Sequence, residues 1–258
     1  MMEAPSIDVP AAAATSWRTF VRTLGRTYPV TAPMIALIVL VPFYIFIAEF
    51  NVGRTPHVPA TWLDSAIPLV PAWALAYGTV YLFLILLPIF LVRREQHVRQ
   101  TFVAYLAVWV AAYGVFILYP TRASRPGHVF GDGFAAWGLR LLYDADPPYN
   151  CFPSLHVAHS FVSALTCYRV HRRVGIAALA AAGLVGVSTL FTKQHYVVDV
   201  FAGALLAWTA SAVFLRTCPR AEADSAEHLA APAVAVWTAA LVGVVFAGAW
   251  IAYEATCF

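Results

Sequence analysis

Seven apolar stretches of roughly membrane-spanning length constrain this chain more than any other feature. A helix needs about 20 mostly apolar residues to cross a hydrocarbon layer. The stretches run approximately from Val30 to Glu49, Val70 to Val92, Thr101 to Tyr119, Ser154 to Val170, Val174 to Phe191, Val197 to Leu215 and Ala231 to Tyr253. The fourth to sixth are shorter or carry polar residues. Hydrophobic residues make up 61% of the chain and charged ones 11%. A soluble domain is usually about 45–50% apolar and about 25% charged, so it could not hide so much apolar side chain. The reading is an all-α fold, a polytopic helix bundle with the bilayer as its solvent. The first stretch begins too late and runs too long for a cleaved signal, and is expected to stay as a spanning helix.

The connections carry further information. The longest, Asn51 to Leu69 and Pro120 to Pro153, are rich in Pro, Gly and Asp, as irregular loops are. Trp17 to Tyr28 sets Arg18, Arg22 and Arg26 among Trp17, Phe20, Val21 and Leu24, the pattern of a basic amphipathic segment on a membrane surface. A disordered tail would read the same way. The net charge of +3 is spread in short clusters between apolar runs, unlike the concentrated basic face of a nucleic-acid binder. No nucleic-acid partner is expected. No CxxC pair suggests a metal, and no metal or other cofactor is expected. Cys151 and Cys257 fall at the same end of the predicted bundle, so a disulfide between them is conceivable.

Orientation follows from the basic residues. With the N-terminus inside, eleven of the sixteen are cytoplasmic: Arg18, Arg22, Arg26, Arg93, Arg94, Arg99, Arg169, Arg172, Arg173, Arg216 and Arg220. Five lie outside: Arg54, Arg122, Arg125, Arg140 and Lys193. Three polar clusters share that outer face. The first is Pro120-Thr121-Arg122-Ala123-Ser124-Arg125-Pro126. The second is Phe152-Pro153-Ser154-Leu155-His156. The third runs from Ser188 to Asp199 through Lys193 and His195.

His195 and Asp199 are four residues apart, one turn on one helical face. A carboxylate at that spacing can fix the imidazole tautomer and leave the other nitrogen free to attack. The same pair would equally serve as a structural bond tying two helices. Ser154 is placed to cap a helix whose free amides attract anions. His156, in that first turn, could protonate a departing oxygen, or be no more than an interfacial histidine. His159 is expected to be a packing residue or a support for its neighbours. Lys193, the only lysine, and the facing Arg122 and Arg125 suit a phosphate. Headgroup contact, or pairing with Asp132, Asp144 or Asp146, is the alternative, and the preferred one for Arg54 and Arg140.

These residues resemble the type 2 phosphatidic acid phosphatase superfamily, whose signature is K-x6-R-P, then P-S-G-H, then S-R-x5-H-x3-D on a six-helix core. Here the second part reads Pro153-Ser154-Leu155-His156, and the third reads Ser188-Thr189, five residues, His195, three residues, Asp199. Of the first, Arg125-Pro126 remains, and Leu118 stands where the lysine would be. Leu155 replaces the glycine and Thr189 the arginine, with Lys193 one turn on. The Ser-Leu-His form looks more like the inositol phosphorylceramide synthase branch, which transfers phosphorylated head groups.

The resemblance implies a six-helix catalytic core, expected over 30–216; the charge bias makes 1–29 a cytoplasmic segment, partly amphipathic, and 217–258 is a cytoplasmic linker with a seventh helix added to that core. The resemblance also implies catalytic His195, Asp199 and His156. Arg125, Lys193, Arg122 and Ser154 would hold the phosphate of a lipid substrate. The expected activity is lipid phosphatase or head-group phosphotransferase. A non-enzymatic transporter or scaffold on the same fold is the alternative.

Overall fold

The computed structural model describes residues 40, 42–92, 95–218 and 232–257. The basic stretch Trp17–Tyr28, the start of the first predicted helix, and Arg93, Arg94 and Arg220 lie outside the described residues. The helices are α1 (42–51), α2 (Trp62–Ala66), α3 (Trp73–Leu91), α4 (Glu95–Leu118), α5 (Phe134–Ala145), α6 (Leu155–Val170), α7 (Arg172–Phe191), α8 (Val197–Phe214) and α9 (Pro232–Cys257). Among the described residues there is no strand. Two isolated bridges, His57 with Thr121 and Arg122 with Tyr149, tie the loops together.

All seven predicted stretches overlap a helix, and the fold is an all-α membrane bundle. Among the described residues, three helices are long and apolar enough to cross a membrane by length and composition: Gln96–Leu118 in α4, Arg172–Phe191 in α7 and Val197–Phe214 in α8. Their outer faces are bare apolar surface, for example Phe201 and Trp208 on α8 and Val110 on α4. α4 starts at Glu95, earlier than the apolar run at Thr101. An apolar run marks hydrocarbon, whereas Gln96, Arg99 and Gln100 are good helix formers that extend the helix into the polar layer.

α6 is the centre of the bundle. One apolar cluster joins Tyr77, Leu84 and Leu91 of α3 to Ala164 and Cys167 of α6 and Ala178, Ala182 and Val185 of α7. A second joins Ala104, Val108 and Ala112 of α4 to Leu155, Ala158 and Val162 of α6 and Ala207 and Ala210 of α8. α6 therefore meets protein on both sides. This explains its weak apolar signal: His159, Ser160, Ser163 and Thr166 are buried in it without facing lipid, where polar groups are costly.

Two expectations are corrected. The long connections are not irregular throughout. The first contains α2, and the second contains the 12-residue α5. α5 buries Ala136 and Leu139 and leaves Leu141 exposed, so it is amphipathic and too short to span. A search for long apolar runs passes over such a helix. The disulfide is the second correction. Cys151 is a free buried thiol and donates to the Pro148 carbonyl at 3.3 Å. Burial raises its pKa well above the ordinary thiol range, which keeps it protonated.

Candidate active site

Two helix starts build the site. The backbone N–H of Ser154 donates to the Asp199 carbonyl at 3.1 Å, which docks the beginning of α6 on the first turn of α8. Ser154 Oγ accepts from the Val157 amide at 3.3 Å, the side-chain cap that its position predicts. A Cβ added to Gly203 would stand 2.4 Å from the Ser154 carbonyl oxygen, so only glycine permits this approach. His156 and His195 are brought together in consequence, with His156 Nδ1 3.2 Å from His195 Nε2.

The chain reaches His195 through a tight turn. α7 ends at Phe191, and Lys193 adopts a left-handed conformation with φ of 53°. Such a residue ends many helices by returning amides to the last carbonyls. Here the amides of Gln194 and His195 donate to the Thr189 carbonyl at 2.9 and 3.3 Å. The turn is braced from α2. Lys193 Nζ donates to the Asp64 carbonyl at 2.9 Å and to that of Ile67. The Asp64 carboxylate accepts from the Val197 amide at 2.8 Å and so caps α8 from outside the helix.

The imidazole of His195 is buried, and its environment settles the tautomer. Nδ1 lies 2.9 Å from the Cys151 carbonyl oxygen. A carbonyl only accepts, so Nδ1 carries the proton and, in the neutral ring, Nε2 is a bare lone pair. The expected partner Asp199 is farther away, with Oδ2 3.6 Å from Nδ1. That oxygen accepts from the Tyr196 amide at 2.8 Å. The carboxylate thus caps its own helix while lying against the Nδ1 side of the His195 ring. Opposite, Tyr77 and Tyr81 meet the His156 ring edge to face, at centroid distances of 5.2 and 5.0 Å.

The cations divide. Arg125 reaches into the buried cluster: it pairs with Asp146 at 3.6 Å and donates to Gln194 Oε1. Burial raises the Asp146 carboxyl above its usual range, and the Arg125 charge and the hydrogen bond donated by the Tyr44 hydroxyl pull it back only in part. Lys193 is not brought to the histidine pair, because its ammonium group is held on the carbonyls of Asp64 and Ile67. Arg122 is exposed and lies over the Tyr149 ring at 5.8 Å. For Arg54 and Arg140 neutral acceptors take the place of an acid. Arg54 donates to Asn51 Oδ1 at 3.0 Å and to the Ile117 carbonyl. Arg140 donates to the carbonyls of Val129 and Gly131 at 3.2 and 2.8 Å.

His159 stacks on Trp109 at 5.1 Å and meets Tyr81 Oη at 3.2 Å. Among the described residues, no three His, Cys, Asp or Glu side chains cluster closely enough to hold a metal.

Sequence reasoning missed Asp64, Gln194, the Cys151 carbonyl and the two tyrosines. Only Asp64 carries a signal, the Thr61-x-x-Asp64 capping pattern. Its oxygens accept from the Thr61 amide at 2.7 Å as well as from Val197. A backbone carbonyl has no signature, and an amide beside a histidine looks like any polar residue.

The fold defines a membrane helix bundle with a close pair of histidines, His156 and His195, at one end. The model of the PAP2 superfamily matches residues 44–213, well over half of the chain, and the chain belongs to that superfamily. It is also 24% identical over 119 residues to a PA-phosphatase related-family protein of Dictyostelium discoideum. That match covers 42% of this chain and 22% of the relative, so the chain spans well under two thirds of that protein's length. No solved structure matches.

Proposed function

We propose that this protein is a membrane-embedded phosphoryl-transfer enzyme acting on a lipid phosphate or a phospho-head-group lipid through a phospho-histidine on His195. One observation carries the reading: the Cys151 carbonyl holds the proton on Nδ1, leaving bare Nε2 facing His156. Substrate would part the two rings. His195 Nε2 attacks phosphorus, an N–P bond forms and the P–O bond to the leaving group breaks. The departing oxygen takes the electron pair and a proton from His156. His156 then accepts a proton from the incoming water or alcohol as that oxygen attacks phosphorus. The N–P bond breaks and His195 is restored. The fixed cation at Arg125 and the amides opening α6 would stabilise the phosphoryl oxygens. No cofactor enters these steps.

The acceptor separates two activities. Water makes the enzyme a phosphatase. A lipid alcohol makes it a transferase, which the Pro153-Ser154-Leu155-His156 form supports through its likeness to the inositol phosphorylceramide synthase branch. The substrate would come from the membrane, and the site would open on the non-cytoplasmic face with the N-terminus inside.

The test uses purified full-length protein in detergent with a panel of lipid phosphates and head-group lipids. Wild type should release phosphate, or form a new lipid when an alcohol is added, and His195→Ala should do neither. Full activity in a folded His195→Ala variant would remove that residue from the mechanism. His156→Ala should lose activity on lipid substrates by about 100-fold or more. It should lose much less on an aryl phosphate, whose leaving group needs no proton. Equal losses on both would argue against the general-acid role. Absence of every activity, with binding or transport in its place, would favour the non-enzymatic reading.

A further inference from the structure

Arg125 and Gln194 share an arrangement that the fold alone does not explain. Gln194 is only 2% exposed, and the Arg125 side chain 9%. Arg125 Nη1 donates to the carbonyls of Tyr143, at 3.4 Å, and Asp146. Its Nη2 donates to the Pro147 carbonyl at 3.5 Å and to Gln194 Oε1. Arg125 Nε has no hydrogen-bond partner, and neither has Gln194 Nε2. The orientation of the Gln194 amide is dictated by its neighbour: a guanidinium only donates, so the oxygen must face it and the NH2 must face away. Two adjacent side chains, joined to each other, therefore hold three N–H groups without an acceptor. Dry donors of this kind are costly to leave unmet.

We infer that Gln194 binds the phosphoryl group, its Nε2 donating beside Arg125 Nε to the non-bridging oxygens. The inference rests on the phosphoryl-transfer reading above and adds to it a residue with no counterpart in the motif resemblance. A purely donating set selects an anion with several oxygens. Gln194 directly precedes His195, and its amide is fixed on the Thr189 carbonyl, so its side chain and the nucleophile move as one unit. Another unpartnered polar atom, Asp199 Oδ1, belongs to the carboxylate on the Nδ1 side of His195, away from the attacking nitrogen. The competing account is that Gln194 only steadies Arg125 through Oε1.

Substitution at both positions separates the two accounts. Gln194→Glu keeps an oxygen for Arg125 and replaces the donor with an acceptor. Gln194→Met removes both. Full-length wild type and variants in detergent are compared by the inhibition constants of inorganic phosphate and orthovanadate, and by kcat/KM on the preferred lipid phosphate. If Nε2 donates to phosphate, both variants weaken inhibition by about tenfold or more, and kcat/KM falls with it. If Gln194 only steadies Arg125, Gln194→Met adds nothing to the loss already caused by Arg125→Ala, which overturns the inference; Gln194→Glu weakens phosphate under either account, because its charge repels the anion. Should Gln194→Glu fail to fold, unchanged constants in Gln194→Met overturn it alone. An active wild type with unaffected variants leaves phosphoryl transfer standing without Gln194. A wild type that neither turns over nor binds phosphate removes both readings.

Discussion

At the scale of single residues, Lys193 carries two roles that its charge alone does not reveal. A non-glycine residue in the left-handed region costs on the order of 1 kcal/mol. The ammonium bonds to the carbonyls of Asp64 and Ile67 offset that cost and fasten α2 over the turn that presents His195. Lys193→Met should therefore destabilise the protein by about 1–3 kcal/mol, since it leaves two carbonyls without a donor. It should leave the phosphate inhibition constant within about twofold of wild type. Thermal unfolding in detergent and inhibition assays measure the two effects. A tenfold loss of phosphate affinity at unchanged stability would return Lys193 to the phosphate site. The charge of Lys193 and its place two residues before His195 are legible along the chain, but the direction of a flexible side chain depends on which acceptors the fold sets within reach.

At the scale of elements, the site depends on how closely α6 and α8 approach. Gly203 lies one turn beyond Asp199, and its missing side chain leaves room for the Ser154 carbonyl. Small residues at helix contacts are the usual means of close packing inside membranes. Gly203→Ala puts a methyl group against backbone, which cannot rotate away. The expected result is a loss of about 1–3 kcal/mol in stability together with reduced activity, as the two histidines part. The same assays check it, and wild-type kcat/KM in that variant would show that the 3.2 Å approach of His156 and His195 is not needed. The spanning helices were legible as elements because lipid demands long apolar runs. α2 and α5 were not, because a short helix lying on the bundle needs only one apolar face.

At the scale of the molecule, the site and the arginine-rich turns occupy opposite ends of the bundle. Arg169 and Arg172 flank the junction of α6 and α7. Gln100 near the start of α4 donates to Thr217 beyond α8 at that same end. The charge bias predicts that this end is cytoplasmic. In a background lacking Cys257, Arg122→Cys should react with an impermeant maleimide on intact cells, and Arg172→Cys only after permeabilisation. Both positions are exposed. The opposite labelling pattern would invert the orientation.

The sequence by itself determined the solvent of this protein, its helical class, the residues at the ends of its core helices and the candidacy of His156 and His195, though not their pairing. Hydrocarbon imposes length and apolarity on each spanning segment locally, so a one-dimensional reading suffices. The tertiary structure alone decided which partner each polar group takes. Cys151 rather than Asp199 makes the short bond to His195. Asp64 caps a helix far along the chain, and Arg125 is engaged by Asp146 and Gln194 while Lys193 turns to α2. Those contacts join residues distant in sequence, and a hydrogen bond depends on position to within a fraction of an ångström, which no spacing along a chain encodes.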